Sequence, residues 1–384
     1  MHDESMKRHL ALLLAFLPLA VASAAQLINV PVPPPPKIDA RGYLLIDHQS
    51  GRVLAEHNAD QRLEPASLTK LMTAYAVFHA LKAGKLRLSD PVTISERAWK
   101  SEGSRTYVDV GTQVPVEVLI QGMIVQSGND ATIALAERVG GSEETFAELM
   151  NGYARQLGMK NSHFENSTGL ASPTHYMTAR DVATLSAAIV REFPEYYRWY
   201  SQREFTWNKI SQPNRNGLLG RDGVDGIKTG HTESAGWCLV SSAERNGMRL
   251  ISVVMGSPSW KVREQASQAL LNYGYSFFET RKLHGAGEQL ATTEVWKAEE
   301  SPVALGLRRD LYLTVPRGQF EALKSTTTIK PRLIAPLAAN TAVGEVQVVL
   351  GDQVLAKRPL YPVKEVKEGG LWTRMVDSVL LWFE

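Results

Sequence analysis

Ser67-Leu68-Thr69-Lys70, followed downstream by Ser127-Gly128-Asn129 and Lys228-Thr229-Gly230, is the set of stretches on which the reading of this 384-residue chain turns. A serine hydroxyl is a weak nucleophile near neutral pH and needs an adjacent base; a lysine serves only if burial or a neighbouring cation loosens its proton. Ser67 and Lys70 are three apart, which on a helix puts both side chains on one face. Pro65 ahead of them, and Leu68, Leu71, Met72 and Tyr75 at three- and four-residue intervals, predict a helix over 66–83. Ser67 then falls in the first turn, where unpaired backbone N–H groups favour developing negative charge. Ser127-Gly128-Asn129 reads as a tight connection between the apolar Val116–Val125 and a helix-like Ala131–Arg138. Lys228-Thr229-Gly230 follows an apparent strand edge at Val224–Ile227. Taken singly, these are a capping serine, a surface lysine, a turn and a strand end. Taken together and in order, they describe one site built to activate a serine.

Working outward, Gly42–Asp47 and Val53–Glu56 flank a turn and read as a β-hairpin. Helical patterns cover 116–126, 130–139, 144–157 and 178–192. Strands return at 236–243 and 249–256 around Asn246-Gly247, a dipeptide suited to a tight hairpin turn, and a last helix is expected over 260–279. Helices between early and late strands imply an α+β domain: an antiparallel sheet closed by segments from both ends of the chain, helices on both faces, and a helical lobe. The site would lie where lobe meets sheet. From about 285 to 362 the pattern changes to short β-like runs without catalytic residue types, a small β-rich domain.

The ends carry their own signals. Lys7-Arg8-His9, the apolar Leu10–Val21 and the small residues Ala22–Ala25 make a secretory signal over 1–25. A proline-rich lead covers 26–37, so the first domain is expected over 38–282, the β-rich domain over 283–363, and a terminal segment over 364–384. In that segment Leu371, Trp372, Met375, Val376, Val379, Leu380 and Phe383 form one helical stripe, with Thr373, Arg374, Asp377 and Ser378 opposite. It is too short to span a bilayer and suits an interfacial helix, although packing on the protein's own core produces the same stripe. A single cysteine, Cys238, excludes an internal disulfide and reads as a buried strand residue. With 42 basic and 40 acidic residues the net charge is +2, which gives no nucleic-acid signature. No metal-ligand spacing or nucleotide loop stands out, and no cofactor or metal is expected.

The three motifs, with Asp222–Thr232, Asn214-Arg215-Asn216-Gly217 and Phe277-Phe278-Glu279-Thr280, resemble the low-molecular-mass penicillin-binding proteins, serine D-alanyl-D-alanine carboxypeptidases related to β-lactamases. The resemblance implies a β-lactamase/transpeptidase-like domain. It also implies removal of the terminal D-alanine from peptidoglycan pentapeptides through an acyl-enzyme, and covalent inhibition by β-lactam antibiotics. By the same resemblance Ser67 attacks, Lys70 takes its proton, Ser127 with Lys228 passes a proton to the leaving amine, and Asn129 holds the substrate amide. The backbone N–H groups of Ser67 and His231 form the oxyanion hole. Thr229, Gly230 and His231 line the substrate strand, with Arg263 and Arg215 toward the terminal carboxylate; Arg263 also fits a solvent-facing place on the last helix. The terminal segment becomes an anchor at the periplasmic face of the bacterial inner membrane. Class A β-lactamases carry a deacylating glutamate in a Glu-x-x-Leu-Asn setting and an aspartate in the middle motif. Here Glu165 lacks that setting and Gly128 stands in the motif, so a carboxypeptidase is favoured over a β-lactamase. A D,D-endopeptidase, a weak β-lactamase and a non-catalytic wall-binding scaffold remain as alternatives.

Overall fold

The computed structural model describes residues 31–383, so the signal-like segment 1–25 lies outside the described residues. Val32 of the lead and Ile38 just after it rest against the apolar layer under the main sheet, and Tyr273 donates its hydroxyl to the Pro33 carbonyl.

The chain opens with the hairpin β1 (Gly42–Asp47) and β2 (Val53–His57). The expected first helix begins as a 3-10 turn, Ala66–Thr69, and becomes α-helical only from Lys70, as α1 (Lys70–Lys82). Ten of its thirteen residues are buried, so it is the central post of the helical lobe. Around it stand β3 (Pro91–Thr93), α2 (Glu96–Trp99), β4 (Gln113–Pro115), α3 (Val116–Gln121), α4 (Asn129–Gly140), α5 (Glu143–Gln156), α6 (Ala179–Glu192) and α7 (Pro194–Tyr197). Ser142 and Thr178 cap α5 and α6 through their hydroxyls, satisfying N–H groups the helices cannot pair internally. A second small hairpin, β5 (Glu204–Trp207) and β6 (Ile210–Pro213), follows. The helix expected over 116–126 holds to Gln121 and continues as a π-helical turn over Gly122–Gln126.

The late strands are β7 (Val224–Thr232), β8 (Gly236–Arg245) and β9 (Met248–Ser257). Asn246 and Gly247 both take positive φ, 50° and 77°, as the expected tight turn requires. With β1 and β2 they make one antiparallel sheet in the order β2-β1-β9-β8-β7, closed by early and late segments. Lys228-Thr229-Gly230 lies inside β7 rather than at a strand end. Leu44, Ile46, Ile227, Val240 and Val253 join the lobe's core on one face. Leu45, Leu239, Leu250 and Val254 pack under α8 (Trp260–Phe277) on the other.

The last helix was expected to reach 279, but β10 (Phe278–His284) begins at Phe278 and pairs with β13 (Leu311–Pro316). The remainder is a five-stranded antiparallel sheet in the order β11-β12-β16-β15-β14, from β11 (Ala291–Thr293), β12 (Val303–Gly306), β14 (Leu323–Ile329), β15 (Gly344–Leu350) and β16 (Gln353–Pro362). Buried Asp47 accepts the Thr280 hydroxyl at 2.8 Å, and Arg52 donates to the Thr314 carbonyl at 2.6 Å, tying the first hairpin to the second domain.

The chain ends in α9 (Leu371–Leu380). Its polar side turns to the β-rich domain, where Asp377 accepts the Lys297 N–H and Arg374 pairs with Glu368. Its apolar side is open, with Leu371 and Trp372 75% and 76% exposed, and Trp382, just past the end of the helix, is 92% exposed. The stripe therefore does not pack on the protein's own core. Among the described residues no helix is long and apolar enough to cross a membrane.

Candidate active site

Ser67 sits on the 3-10 turn at the foot of α1, and Lys70 is the first residue of that helix, 1% exposed. Lys70 Nζ lies 2.9 Å from Ser67 Oγ, 2.7 Å from Asn129 Oδ1 and 2.8 Å from the Thr168 carbonyl oxygen. The amide and backbone carbonyl oxygens can only accept, so they take two N–H bonds. A neutral amine then has its lone pair left for the Ser67 hydroxyl. Burial, and then the charge of Arg215, push the Lys70 pKa down to about 7, against the opposing pull of Asp130 and Glu143. Lys228, also buried, is held well below its usual range by burial, by Lys70 and by the two arginines 215 and 263. Two ammonium groups in one low-dielectric pocket disfavour carrying both charges.

The turn before the nucleophile needs a close neighbour. Ala66 has φ 47°, in the left-handed region, and its carbonyl oxygen would lie 1.8 Å from a Cβ at Gly169. Glycine at 169, itself at φ 85°, lets the loop after Thr168 press against that turn. Gly230 does the same from the sheet: a Cβ there would lie 3.0 Å from the Pro65 carbonyl oxygen and 3.2 Å from the Ser67 nitrogen. Strand β7 therefore passes directly beside the nucleophile's backbone, with Thr229 buried before Gly230 and His231 exposed after it, its ring stacked on Trp237 at 3.9 Å.

Ser127 caps the π-helical turn at φ 64°, and its buried Oγ has no hydrogen-bond partner among the described residues. Asn129 opens α4; its Nδ2 donates to the Glu102 carbonyl and its backbone N–H to the Ser104 carbonyl. Loop 102–108 is fastened by Asp130, whose fully buried carboxylate accepts the N–H groups of Thr106, Tyr107 and Val108. Between them lies Gly128, where a Cβ would meet Thr106 Oγ1 at 2.0 Å. With the Thr106 nitrogen and Asp130 Oδ1 both 2.8 Å from the same point, the pocket as it stands has no room for an aspartate in the middle motif.

Arg263 is buried, which overturns its solvent-facing alternative. Its Nη1 donates to the Gly230 and Cys238 carbonyls at 3.2 and 3.3 Å, and its guanidinium lies 5.1 Å from the Trp237 ring. Arg215 is exposed, on the loop after β6, and its charge is felt by both lysines. Cys238 is buried in β8, its thiol pushed up by burial. Glu165 is exposed and occupied by the hydroxyls of Ser172 and Thr174. Thr168, Asp130, Glu143 and Thr106 were not singled out from sequence. Thr168 acts through its backbone carbonyl, Asp130 and Glu143 through buried carboxylates that hold segments more than twenty residues away, and Thr106 through the space it fills, none of which has a local sequence signal. Among the described residues no group of three or more His, Cys, Asp or Glu side chains is placed to hold a metal ion.

Residues 29–259 match the family described as D-alanyl-D-alanine carboxypeptidase, and residues 278–368 match the penicillin-binding protein 5 C-terminal domain. The chain belongs to the D-alanyl-D-alanine carboxypeptidase family. It is 44% identical over 382 residues to D-alanyl-D-alanine carboxypeptidase DacA of Escherichia coli K12, covering 97% of this chain and 94% of that protein. To DacF of Bacillus subtilis 168 it is 33% identical over 351 residues, 90% of each chain. The crystal structure of penicillin binding protein 5 from Haemophilus influenzae superimposes with a TM-score of 0.83 at 45% identity, covering 87% of this chain and 99% of that one. This member of the carboxypeptidase family thus has both expected units, the transpeptidase-like domain and the small antiparallel domain after it.

Proposed function

We propose that this chain is a serine-type D-alanyl-D-alanine carboxypeptidase that trims the terminal D-alanine from peptidoglycan pentapeptides. The observation that carries the reading is Lys70: buried, depressed to a pKa of about 7, its N–H bonds taken by Asn129 and Thr168, with Ser67 Oγ at 2.9 Å. Ser67 attacks the carbonyl of the penultimate D-alanine as Lys70 accepts its proton. Backbone N–H groups of Ser67 and His231 receive the oxyanion, a reading supported by the contact of Gly230 with the Ser67 backbone. Ser127, its hydroxyl uncommitted, hands a proton to the departing amine under the influence of Lys228. The terminal D-alanine leaves, and water then cleaves the Ser67 ester. Asn129, its amide already joined to Lys70 and to the Glu102 carbonyl, offers its remaining N–H to the substrate backbone. Thr229 and Arg215 receive the terminal carboxylate, and Arg263 supports them by bracing β7 at Gly230 and adding positive charge.

The direct test is mass detection of products from a pentapeptide and a crosslinked dimer. Loss of one alanine from the pentapeptide is expected; cleavage of the dimer alone would make the chain an endopeptidase. Glu165 is turned to its own loop, so a penicillin adduct should persist on intact mass rather than vanish as in a β-lactamase.

We also place the protein outside the inner membrane, exported by residues 1–25 and held by 364–384, with 38–282 as the catalytic and 283–363 as the spacer unit. The exposed apolar side of α9 and its terminal tryptophans support the anchor. Deleting residues 368–384 should release the protein from membrane fractions with activity intact; unchanged sedimentation with membranes would sink the anchor.

A further inference from the structure

We propose that His175 is a positioning residue for acylation, its neutral imidazole fixing the turn that carries Ser67 against the loop that holds Lys70. The proposal rests on the assignment of Ser67 and Lys70 made above. His175 is 2% exposed and packs edge-on against Phe164, ring centroids 5.7 Å apart. Just outside, His163 and Tyr176 exchange backbone hydrogen bonds at 2.9 and 3.1 Å, so the segment holding the ring is closed on itself.

The proton on the ring is placed by its partners. The Glu165 N–H points at Nδ1 from 3.3 Å, and a backbone N–H can only donate, so Nδ1 is the unprotonated nitrogen. Nε2 then carries the hydrogen and donates it to Thr69 Oγ1 at 2.9 Å. Burial pushes the His175 pKa down to about 4, so the ring stays neutral over the range in which Lys70 titrates, and its two partners fix the tautomer.

These contacts grip two parts of the site. Thr69 stands between Ser67 and Lys70 at the junction of the 3-10 turn and α1. Glu165 begins the loop whose Thr168 carbonyl takes a Lys70 N–H. Thr73, one turn further along α1, donates to the Ser167 carbonyl at 2.6 Å and holds the same loop from above. The imidazole thus joins the nucleophile's turn, at Thr69, to the start of the loop that carries the base's acceptor, at Glu165. Misplacement of such a pair by about 1 Å costs on the order of 100-fold in rate. A histidine that only fills space would show no special coupling to Thr69.

The test measures the non-covalent dissociation constant and the acylation rate constant for a penicillin, with thermal melting, in the full chain and in H175A, H175Q, T69V and H175A/T69V. H175A and T69V should each acylate about tenfold more slowly, with dissociation constants unchanged. The double variant should be no slower than the worse single one. H175Q, whose amide N–H can reach Thr69, should recover most of the rate. Normal acylation in H175A, or losses that multiply in the double variant, would overturn the proposal. If H175A does not fold, T69V decides: wild-type acylation there overturns the proposal, and a loss confined to the rate constant supports it. A wild-type chain that takes no penicillin would overturn the nucleophile assignment as well, which separates the two failures.

Discussion

Ser67→Ala protein is expected to lose peptide hydrolysis and covalent penicillin labelling together. With the hydroxyl gone, Lys70 has no oxygen to deprotonate and no ester can form at residue 67. The loss should be roughly 10^6-fold in kcat, the order seen when a serine nucleophile is removed from a site that otherwise survives. Folding should be spared, because Ser67 is only half-buried within an otherwise buried turn and its Oγ makes no hydrogen bond among the described residues other than the one to Lys70. Binding of a peptide without turnover should remain, since β7 and Arg263 are untouched. Any covalent adduct on homogeneous S67A protein, read by intact mass, would show that another group attacks.

Lys70 carries the second large effect. Lys70→Ala should slow acylation by on the order of 10^3-fold, within the usual contribution of a general base. The pH dependence follows from the sign of the shift. Lys70 acts in its deprotonated form, and its pKa of about 7 lies far below that of a free lysine. The acylation rate should therefore be flat above pH 7 and fall about tenfold per unit below it, because at pH 6 only about a tenth of the amine is neutral. The positive charge of Arg215 helps to hold that pKa down, so Arg215→Gln should move the falling limb to higher pH. A stopped-flow profile of penicillin acylation that stays flat from pH 8 to 5 in the wild type would remove Lys70 from the base role.

Side chains that announce themselves by type and spacing were legible in the sequence. Ser67 and Lys70 meet because three residues make nearly one turn whether that turn is 3-10 or α. Asn246-Gly247 marked its hairpin because both residues tolerate positive φ, and the tail's stripe survived because the fold leaves it uncovered. What stayed hidden was carried by backbone and by distance. The Thr168 carbonyl is an acceptor that every residue possesses. Asp130 looks like an ordinary first-turn acid of α4, yet it anchors a loop more than twenty residues upstream. From its position on α8 alone Arg263 fits a solvent-facing residue as well as the carboxylate partner the resemblance implies, and the carbonyls of β7 and β8 that bury it lie far along the chain. Strands as short as β3 and β4 hold too few residues to show alternation, and β10 begins where the helical pattern of α8 has not yet faded.

Thr106 presses on Gly128 inside the middle motif. The two occupy one volume, so any side chain placed at 128 while Thr106 stays put collides with it within the same buried pocket. An aspartate at 128 therefore needs more than that one replacement: a Cβ there would meet Thr106 Oγ1 at 2.0 Å and both the Thr106 backbone nitrogen and Asp130 Oδ1 at 2.8 Å, so the 102–108 loop itself would have to stand further off. What residue 128 can be is thus decided from outside the motif, by a loop more than twenty positions upstream that has already taken the room.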